Sequence, residues 1–244
     1  TDHSGNYGSV WTDFDRDGDI DLYIAKCRQF VNDPQDPRRV NQLWVNDGQG
    51  NYTEEASERG LVFFEQSWTA DFADIDNDGD FDCLVTNHST TLLLLENDGT
   101  GNFTDITAGS GLEVTGFFLQ AKLEDFDNDG YVDLVYSGGA HAYFKNNGDQ
   151  TFSNVPNMFP YGDTMHSFAT GDVNRDGQVD LYASYGNGYV SADNGNDDVL
   201  WINNGNPGQH WITFELEGFQ SNRDAVGATV EITGSFGTQV RSVR

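Results

Sequence analysis

Asp13-Phe-Asp-Arg-Asp-Gly-Asp-Ile-Asp21 carries an aspartate at every odd position and a glycine at the sixth. The same nine-residue pattern returns as Asp74-Ile-Asp-Asn-Asp-Gly-Asp-Phe-Asp82, Asp125-Phe-Asp-Asn-Asp-Gly-Tyr-Val-Asp133 and Asp172-Val-Asn-Arg-Asp-Gly-Gln-Val-Asp180. The starting positions are 61, 51 and 47 residues apart, a spacing that belongs to architectures built from one supersecondary unit per repeat.

The residue types at these positions suit a hard cation. Calcium takes roughly 6–8 oxygen ligands at about 2.3–2.6 Å, so a compact site needs several carboxylates turned inward from a tightly curled backbone. Positions one, three and five supply alternate side chains: Asp13, Asp15 and Asp17; Asp74, Asp76 and Asp78; Asp125, Asp127 and Asp129; Asp172, Asn174 and Asp176. The glycine at six permits the sharp turn. Position seven (Asp19, Asp80, Tyr131, Gln178) can offer a backbone carbonyl, and the aspartate at nine (Asp21, Asp82, Asp133, Asp180) returns to close the cage. One Ca2+ per loop, about four per chain, is the expectation. Asn174 puts a neutral oxygen where the other loops have a carboxylate, which weakens the last site. Magnesium prefers a smaller, water-rich octahedral shell and fits less well. An EF-hand begins similarly but requires a Glu at position twelve and flanking helices; here position twelve is Ile24, Val85, Tyr136 or Ala183.

Working outward, each loop lies between strand-like segments. Val10-Trp11 or Ser67-Trp68 precedes it, and Leu22-Tyr-Ile-Ala25, Leu84-Val-Thr86, Leu134-Val-Tyr136 or Leu181-Tyr-Ala183 follows. A third run (Leu43-Trp-Val45, Leu92 to Leu95, Ala142-Tyr-Phe144, Val199 to Ile202) ends on Asn46-Asp-Gly48, Asn97-Asp-Gly99, Asn146-Asn-Gly148 or Asn203-Asn-Gly205. Such sequences supply the positive φ angles of tight hairpin turns. Asn51-Tyr-Thr53, Asn102-Phe-Thr104 and Thr151-Phe-Ser153 then provide fourth strands. Four short antiparallel strands per repeat make a propeller blade, so the expectation is an all-β β-propeller of at least four four-stranded blades over 1–205. A short β segment follows over 206–244, where Ile212, Phe214 and Leu216 alternate with Thr213, Glu215 and Glu217 as a half-buried strand does. It either completes the fourth blade or begins a separate β unit.

Composition narrows the function. A formal charge of −28, from 40 acidic against 12 basic residues, disfavours nucleic acid and anionic lipid as partners, because both need clustered Lys and Arg. Seventeen of the acidic residues lie inside the four loops, which points to bound cations as the offset. The longest apolar run, Thr91–Leu95, is far short of the roughly 18–20 residues of a membrane span. The first residues lack the features of a signal peptide, so an export signal is expected to have been removed or to lie outside this sequence. Cys27 and Cys83 are too few for a disulfide framework, and their unequal offsets from the loops argue against a pair. Asn51, Asn87 and Asn102 fit the glycosylation acceptor pattern. His3, His88, His141, His166 and His210 show no ligand spacing, and no nucleophile elbow or phosphate-cradling loop occurs, so the chain is not expected to be an enzyme. Trp11, Trp44, Trp68, Trp201 and Trp211 fall mostly on expected strands, which predicts core positions over a carbohydrate platform.

The loops, the following Asp-Leu and the Asn-Asp-Gly-x-Gly-Asn-Phe/Tyr-Thr turn resemble the FG-GAP (VCBS-type) repeats of integrin α-subunit propellers and many secreted bacterial proteins, over about residues 7–205. His210-Trp-Ile-Thr-Phe-Glu-Leu-Glu-Gly218, Ser221 to Ile232 and Gln239 to Arg244 are similar to the ASPIC/UnbV segment of cartilage-acidic-protein-like proteins. The first resemblance implies ligands at loop positions one, three, five and nine, and a propeller of about seven blades, so that four repeats read as part of a larger ring or an open arc. It also implies a secreted or cell-surface interaction module in which Ca2+ rigidifies blades that present a surface to a protein or glycan partner, as part of a larger assembly. A sensing role, a lectin-like role and polysaccharide processing are the alternatives. Extracellular modules commonly bind calcium at about 10⁻⁴–10⁻³ M, which agrees with secretion.

Overall fold

Each nine-residue loop is the connection of a β-hairpin. The apolar runs on its two sides pair antiparallel, and the hairpin is closed by the residue before the loop and the loop's own ninth residue: Thr12 with Asp21, Ala73 with Asp82, Glu124 with Asp133 and Gly171 with Asp180. The computed structural model describes residues 5–159, 164–186, 195–219 and 222–243; His3, Ser221 and Arg244 lie outside the described residues.

Among the described residues the chain is all β. The first sheet holds β1 (Asn6–Thr12), β2 (Asp21–Lys26), β3 (Gln42–Asn46) and β4 (Tyr52–Glu54) in sequence order. The second holds β5 (Ser67–Ala73), β6 (Asp82–Asn87), β7 (Leu93–Asn97) and β8 (Phe103–Asp105), and the third β9 (Phe118–Glu124), β10 (Asp133–Gly138), β11 (Ala142–Asn146) and β12 (Phe152–Val155). In the fourth, β13 (Thr164–Gly171), β14 (Asp180–Gly186) and β15 (Val199–Trp201) form three strands where four were expected. A hairpin, β16 (Thr229–Gly234) with β17 (Gly237–Ser242), ends the described chain. No helix is long and apolar enough to cross a membrane among these residues.

The sheets stand in a row, with β1 packed on β5, β5 on β9 and β9 on β13. The strand period of two decides what each side chain meets. Cys83 and Val85 of β6 face the first sheet and join Phe14, Tyr23 and Leu43 in one core, whereas Leu84 between them faces the third sheet and joins Leu123, Leu134 and Phe144 in another. Phe126, Val135 and Tyr143 meet Met165, Phe168 and Leu181 in a third core. Strands β6 and β10 are therefore buried on both faces along their whole length. The row is open: no closed ring of sheets forms among the described residues.

Polar bonds between neighbouring sheets repeat as regularly as the cores. In the second, third and fourth sheets, the Asn at the end of the third strand or just beyond it donates from Nδ2 to two carbonyls. One belongs to position eight of its own loop and the other to position two of the preceding loop. Asn97 bonds Phe81 O and Phe14 O, both at 3.1 Å, Asn146 bonds Val132 O and Ile75 O, and Asn203 bonds Val179 O and Phe126 O. Asn46, in the first sheet, bonds Ile20 O of its own loop and the hydroxyl of Tyr52.

Several expectations need correction. The Asn-x-Gly segments form five-residue connections, since Asn46 pairs with Tyr52, Asn97 with Phe103 and Asn146 with Phe152. Side-chain oxygens of Asn46, Asn97 and Asn146 accept from the N–H of Gly48, Gly99 and Gly148, which widens the turn beyond two residues. Residues 211–218 form no strand. Ile212, Phe214 and Leu216 are exposed and pair with no strand among the described residues. Most of the tryptophans are not core: Trp11 and Trp211 are exposed and Trp44 and Trp68 half-buried, while Trp201, also half-buried, packs against the third core. Cys27 and Cys83 are both buried, with free thiols.

Replacing Asn97 by Ala leaves two buried carbonyls from two sheets without a donor, at roughly 1–3 kcal/mol each. Asn97→Ala is expected to lower the melting temperature by roughly 5–10 °C in thermal unfolding, and Asn46→Ala, which joins no second sheet, by less than half as much.

Candidate metal centres

Each loop is wound around its own carboxylates. Position four adopts a left-handed conformation in all four loops (Arg16, Asn77, Asn128 and Arg175, φ between 55° and 63°), and the glycine at six follows with φ between 83° and 103°. These two positions reverse the chain twice in three residues, so successive N–H groups point inward. The carboxylate at position one accepts from the glycine N–H in loops one, three and four (Asp13, Asp125 and Asp172, 2.9–3.1 Å). Position five accepts from the N–H of position seven in every loop, through Asp17, Asp78, Asp129 and Asp176. Asp19, Asp80, Tyr131 and Gln178 therefore have their amide groups tied at the turn.

Position nine is a joint. Asp82 Oδ1 accepts from Asn97 N at 2.9 Å and Oδ2 from Ile75 N at 3.1 Å; Asp133 does the same with Asn146 and Phe126, and Asp180 with Asn203 and Val173. Asp21 accepts from Asn46 N. This carboxylate ties the third strand to the loop whether or not it also holds an ion.

The side chains converge unequally. In loop one, oxygens of Asp13, Asp15 and Asp17 lie within 4.8 Å of one another, as do those of Asp74, Asp76 and Asp78 in loop two. In loop three the close set is Asp125, Asp127 and Asp133. Loop four yields no such set among the described residues; Asp172, Asn174 and Asp176 are exposed, and Asn174 Nδ2 donates to Asp176 Oδ2 at 2.8 Å.

The first two loops also hold buried carboxylate oxygens with no hydrogen-bond partner: Asp13 Oδ1, Asp15 Oδ1 and Asp21 Oδ2 in loop one, and both oxygens of Asp74 with Asp80 Oδ1 in loop two. Asp21, Asp74 and Asp80 are at most 9% exposed. Buried, unpaired and mutually repelling carboxylates are costly unless a cation meets them, so these residues fit a hard divalent ion. Loop three is different. Lys145 Nζ bonds Asp127 Oδ2 and lies 2.6 Å from Asp129 Oδ2, an ammonium already set among the carboxylates. The equivalent residue is Val45 in loop one, Glu96 in loop two and Ile202 in loop four.

Burial pushes the carboxyl groups upward. It lifts Asp82 to about 8, outweighing its backbone hydrogen bonds, Asp21, Asp80 and Asp133 to about 7, and Asp74 and Asp125 to about 6. Neighbouring carboxylates add to the rise at Asp80, where Asp78, Asp76 and Asp74 all repel the charged form.

Sequence reasoning missed how the loops touch one another. Position four of each loop donates to the carbonyl of the glycine of the next: Arg16 Nη1 to Gly79 O, Asn77 Nδ2 to Gly130 O at 3.2 Å and Asn128 Nδ2 to Gly177 O at 3.0 Å. The recurrence of Arg or Asn at position four was the available signal. The β16–β17 hairpin crosses this row. Arg16 Nη2 pairs with Glu231 at 3.1 Å, Arg241 Nη2 reaches Gly130 O at 3.1 Å, and Val240 is fully buried in the first core. Trp211 lies against Gly177 of loop four.

Compared with known families, residues 13–85, 74–136 and 125–183 each match the FG-GAP-like repeat, and the matched region ends before the C-terminal segment. No curated protein matches the chain. Among solved structures it is similar to the V. cholerae biofilm matrix protein Bap1, at 15% identity and a TM-score of 0.41, over 74% of this chain and 28% of that one.

The raised carboxyls fix the sign of a pH effect. In chelator, the folded loops hold protons up to about pH 6–8, whereas unfolded aspartates release them near pH 4. Their contribution is thus fully present below about pH 4 and is lost as pH rises through the folded values. The melting temperature of chelated protein is expected to fall by roughly 5 °C or more between about pH 5 and pH 8, and added Ca2+ to abolish that slope. A flat profile in chelator would contradict the burial of these groups.

Proposed function

The chain belongs to the FG-GAP-like repeat family, and on that premise we propose that it is a calcium-stabilised, propeller-type part of an extracellular adhesion module. The observation that carries this reading is the set of buried, unpartnered oxygens on Asp13, Asp15, Asp21, Asp74 and Asp80, which a hard cation would satisfy together. Ca2+ would be held by the odd-numbered positions of loops one and two. When bound it supplies positive charge and oxygen coordination, and so stabilises the folded state in proportion to its concentration over its dissociation constant. The residues themselves orient the carboxylates, the position-seven N–H donating to position five and the N–H of Asn97 to Asp82 at position nine, while the side chains of Asn97 and its equivalents pass that order to the neighbouring sheet.

Fluids outside cells hold calcium at levels that fill sites of about 10⁻⁴–10⁻³ M, which favours a secreted or surface location. The formal charge of −28 disfavours nucleic acid and anionic membranes as partners. The partner in this reading is a protein or glycan, and no catalytic step is assigned. A glycan-contacting face is supported by one observation: Tyr7, Trp68, His88 and Phe117 cluster at the strand ends away from the loops, with Trp68 and His88 rings stacked at 5.5 Å and Tyr7 49% exposed. The similarity of 206–244 to the ASPIC/UnbV segment is part of the same proposal.

Calorimetric titration of chelator-treated protein with Ca2+ is the test. Tight binding at the first two loops is expected, with weaker binding at loop three, where Lys145 competes, and at loop four. Saturation should raise the melting temperature by roughly 10 °C, magnesium should do much less, and Asp74→Asn should remove one tight site. Absence of calcium binding and an unchanged melting temperature would overturn the assignment.

A further inference from the structure

In every loop the carboxylate at position nine accepts from the backbone N–H of one asparagine, Asn46, Asn97, Asn146 or Asn203. That bond fixes the asparagine against the loop, and with it the residue just before: Val45, Glu96, Lys145 and Ile202. Two of these four are charged, with opposite signs, and both reach the carboxylates of their own loop.

Loop three is satisfied by the protein itself. Lys145 Nζ bonds Asp127 and Asp129, and Tyr143, two residues earlier on the same face of β11, donates its hydroxyl to Asp133 Oδ2 at 2.8 Å. Asp125 accepts from the N–H groups of Asp129 and Gly130. Among the described residues no buried carboxylate oxygen of loop three lacks a partner, whereas loops one and two hold three such oxygens each. Loop two has the opposite character. Gln150 Nε2 reaches over from the third sheet and donates to Asp76 Oδ2 at 2.8 Å and to Glu96 Oε1 at 2.6 Å, so the Glu96 carboxylate stands beside Asp76. It is a sixth carboxylate at a loop whose Asp74 is 1% exposed with both oxygens unpartnered. Loop one lies between the two: Val45 is neutral, and Arg59 Nη2 comes only to 4.0 Å from Asp15 Oδ2, beyond hydrogen-bond distance.

We propose that the residue before this asparagine sets which cation its loop holds: Lys145 is the resident cation of loop three, and Glu96 makes loop two the tightest calcium site. An ammonium offers three donors on a compact charge, so it offsets the same carboxylates that a divalent ion would coordinate, and an ion entering loop three must displace it. The affinity of an oxygen cage for calcium rises with the charge of its ligands, which is what Glu96 adds. The role of Glu96 rests on the calcium reading above, whereas that of Lys145 rests on its own ion pairs. The consequence is mechanical. The joint from Asp133 through Asn146 to the Ile75 carbonyl is ordered without calcium, while the one from Asp82 through Asn97 to the Phe14 carbonyl has a loop that still lacks its cation.

Exchanging the charges on the whole chain tests this, by calorimetry with Ca2+ and by thermal unfolding in chelator and in calcium. Glu96→Lys should weaken one tight site at least about tenfold, and Asp74→Asn added to it should remove no further tight site, which places the loss in loop two. Lys145→Glu should do the reverse and tighten one weak site at least about tenfold. Lys145→Gln, which adds no charge and serves where Lys145→Glu fails to fold, should also tighten that site. In chelator it should melt roughly 3–5 °C below wild type, and calcium should restore the difference; a lysine with a merely structural role would destabilise equally in both. Lys145 variants that gain no calcium affinity, or a Lys145→Gln deficit that calcium does not restore, would overturn the assignment of Lys145. Glu96→Lys binding as wild type does would overturn that of Glu96. Wild type that binds no calcium would sink the calcium reading and the role of Glu96 together, and unchanged melting of Lys145→Gln in chelator would then sink the role of Lys145 as well.

Discussion

Bringing three carboxylates to within 4.8 Å of one another, with some of their oxygens buried and unpartnered, is the constraint on which the rest of the structure depends. Like charges at that spacing repel by amounts that grow as water is excluded. Backbone N–H groups lower the cost, aimed at the carboxylate of position five in every loop, at that of position one in loops one, three and four, and, from the third-strand Asn, at that of position nine. Some oxygens remain without donors, and the unoffset cost of burial is concentrated there. The loops differ in how they meet it. Loop two is the most buried and gains an extra carboxylate in Glu96, loop three admits Lys145, and loop four opens to water.

The same loops join the sheets. Position two inserts an apolar side chain into the junction with the next sheet and offers its carbonyl to that sheet's asparagine. Position four bonds the glycine of the next loop, and position nine anchors the third strand. The order of the carboxylates in one loop is thus mechanically continuous with packing between sheets. The path runs from the Asp82 carboxylate to Asn97 and on to the Phe14 carbonyl. The C-terminal hairpin adds a second tie across the first three loops through Arg16, Glu231, Val240 and Arg241.

Where sequence reasoning failed, the missing term was a neighbour. Ile212, Phe214 and Leu216 alternate as a strand should, yet alternation records only a preference for two faces, and among the described residues they pair with no strand. Trp11 has the composition of a core residue and the position of one, but it sits on the sheet at the open end of the row. The Asn-x-Gly segments were legible as turns, while their five-residue length follows from side-chain oxygens of Asn46, Asn97 and Asn146 taking the place of backbone acceptors.

The sequence by itself determined the repeat, the order of strands around each loop, the supply of carboxylates and the family resemblance. All of these are local patterns whose periods of two and nine residues are written along the chain. Only the tertiary structure decided which carboxylates converge, which oxygens go without a donor, where Lys145 sets its ammonium and which apolar faces stay open. Those outcomes depend on residues about 15 to 80 positions apart being packed against one another, as Asn97 is on Phe14, and long-range contacts leave no periodic signal in a single sequence.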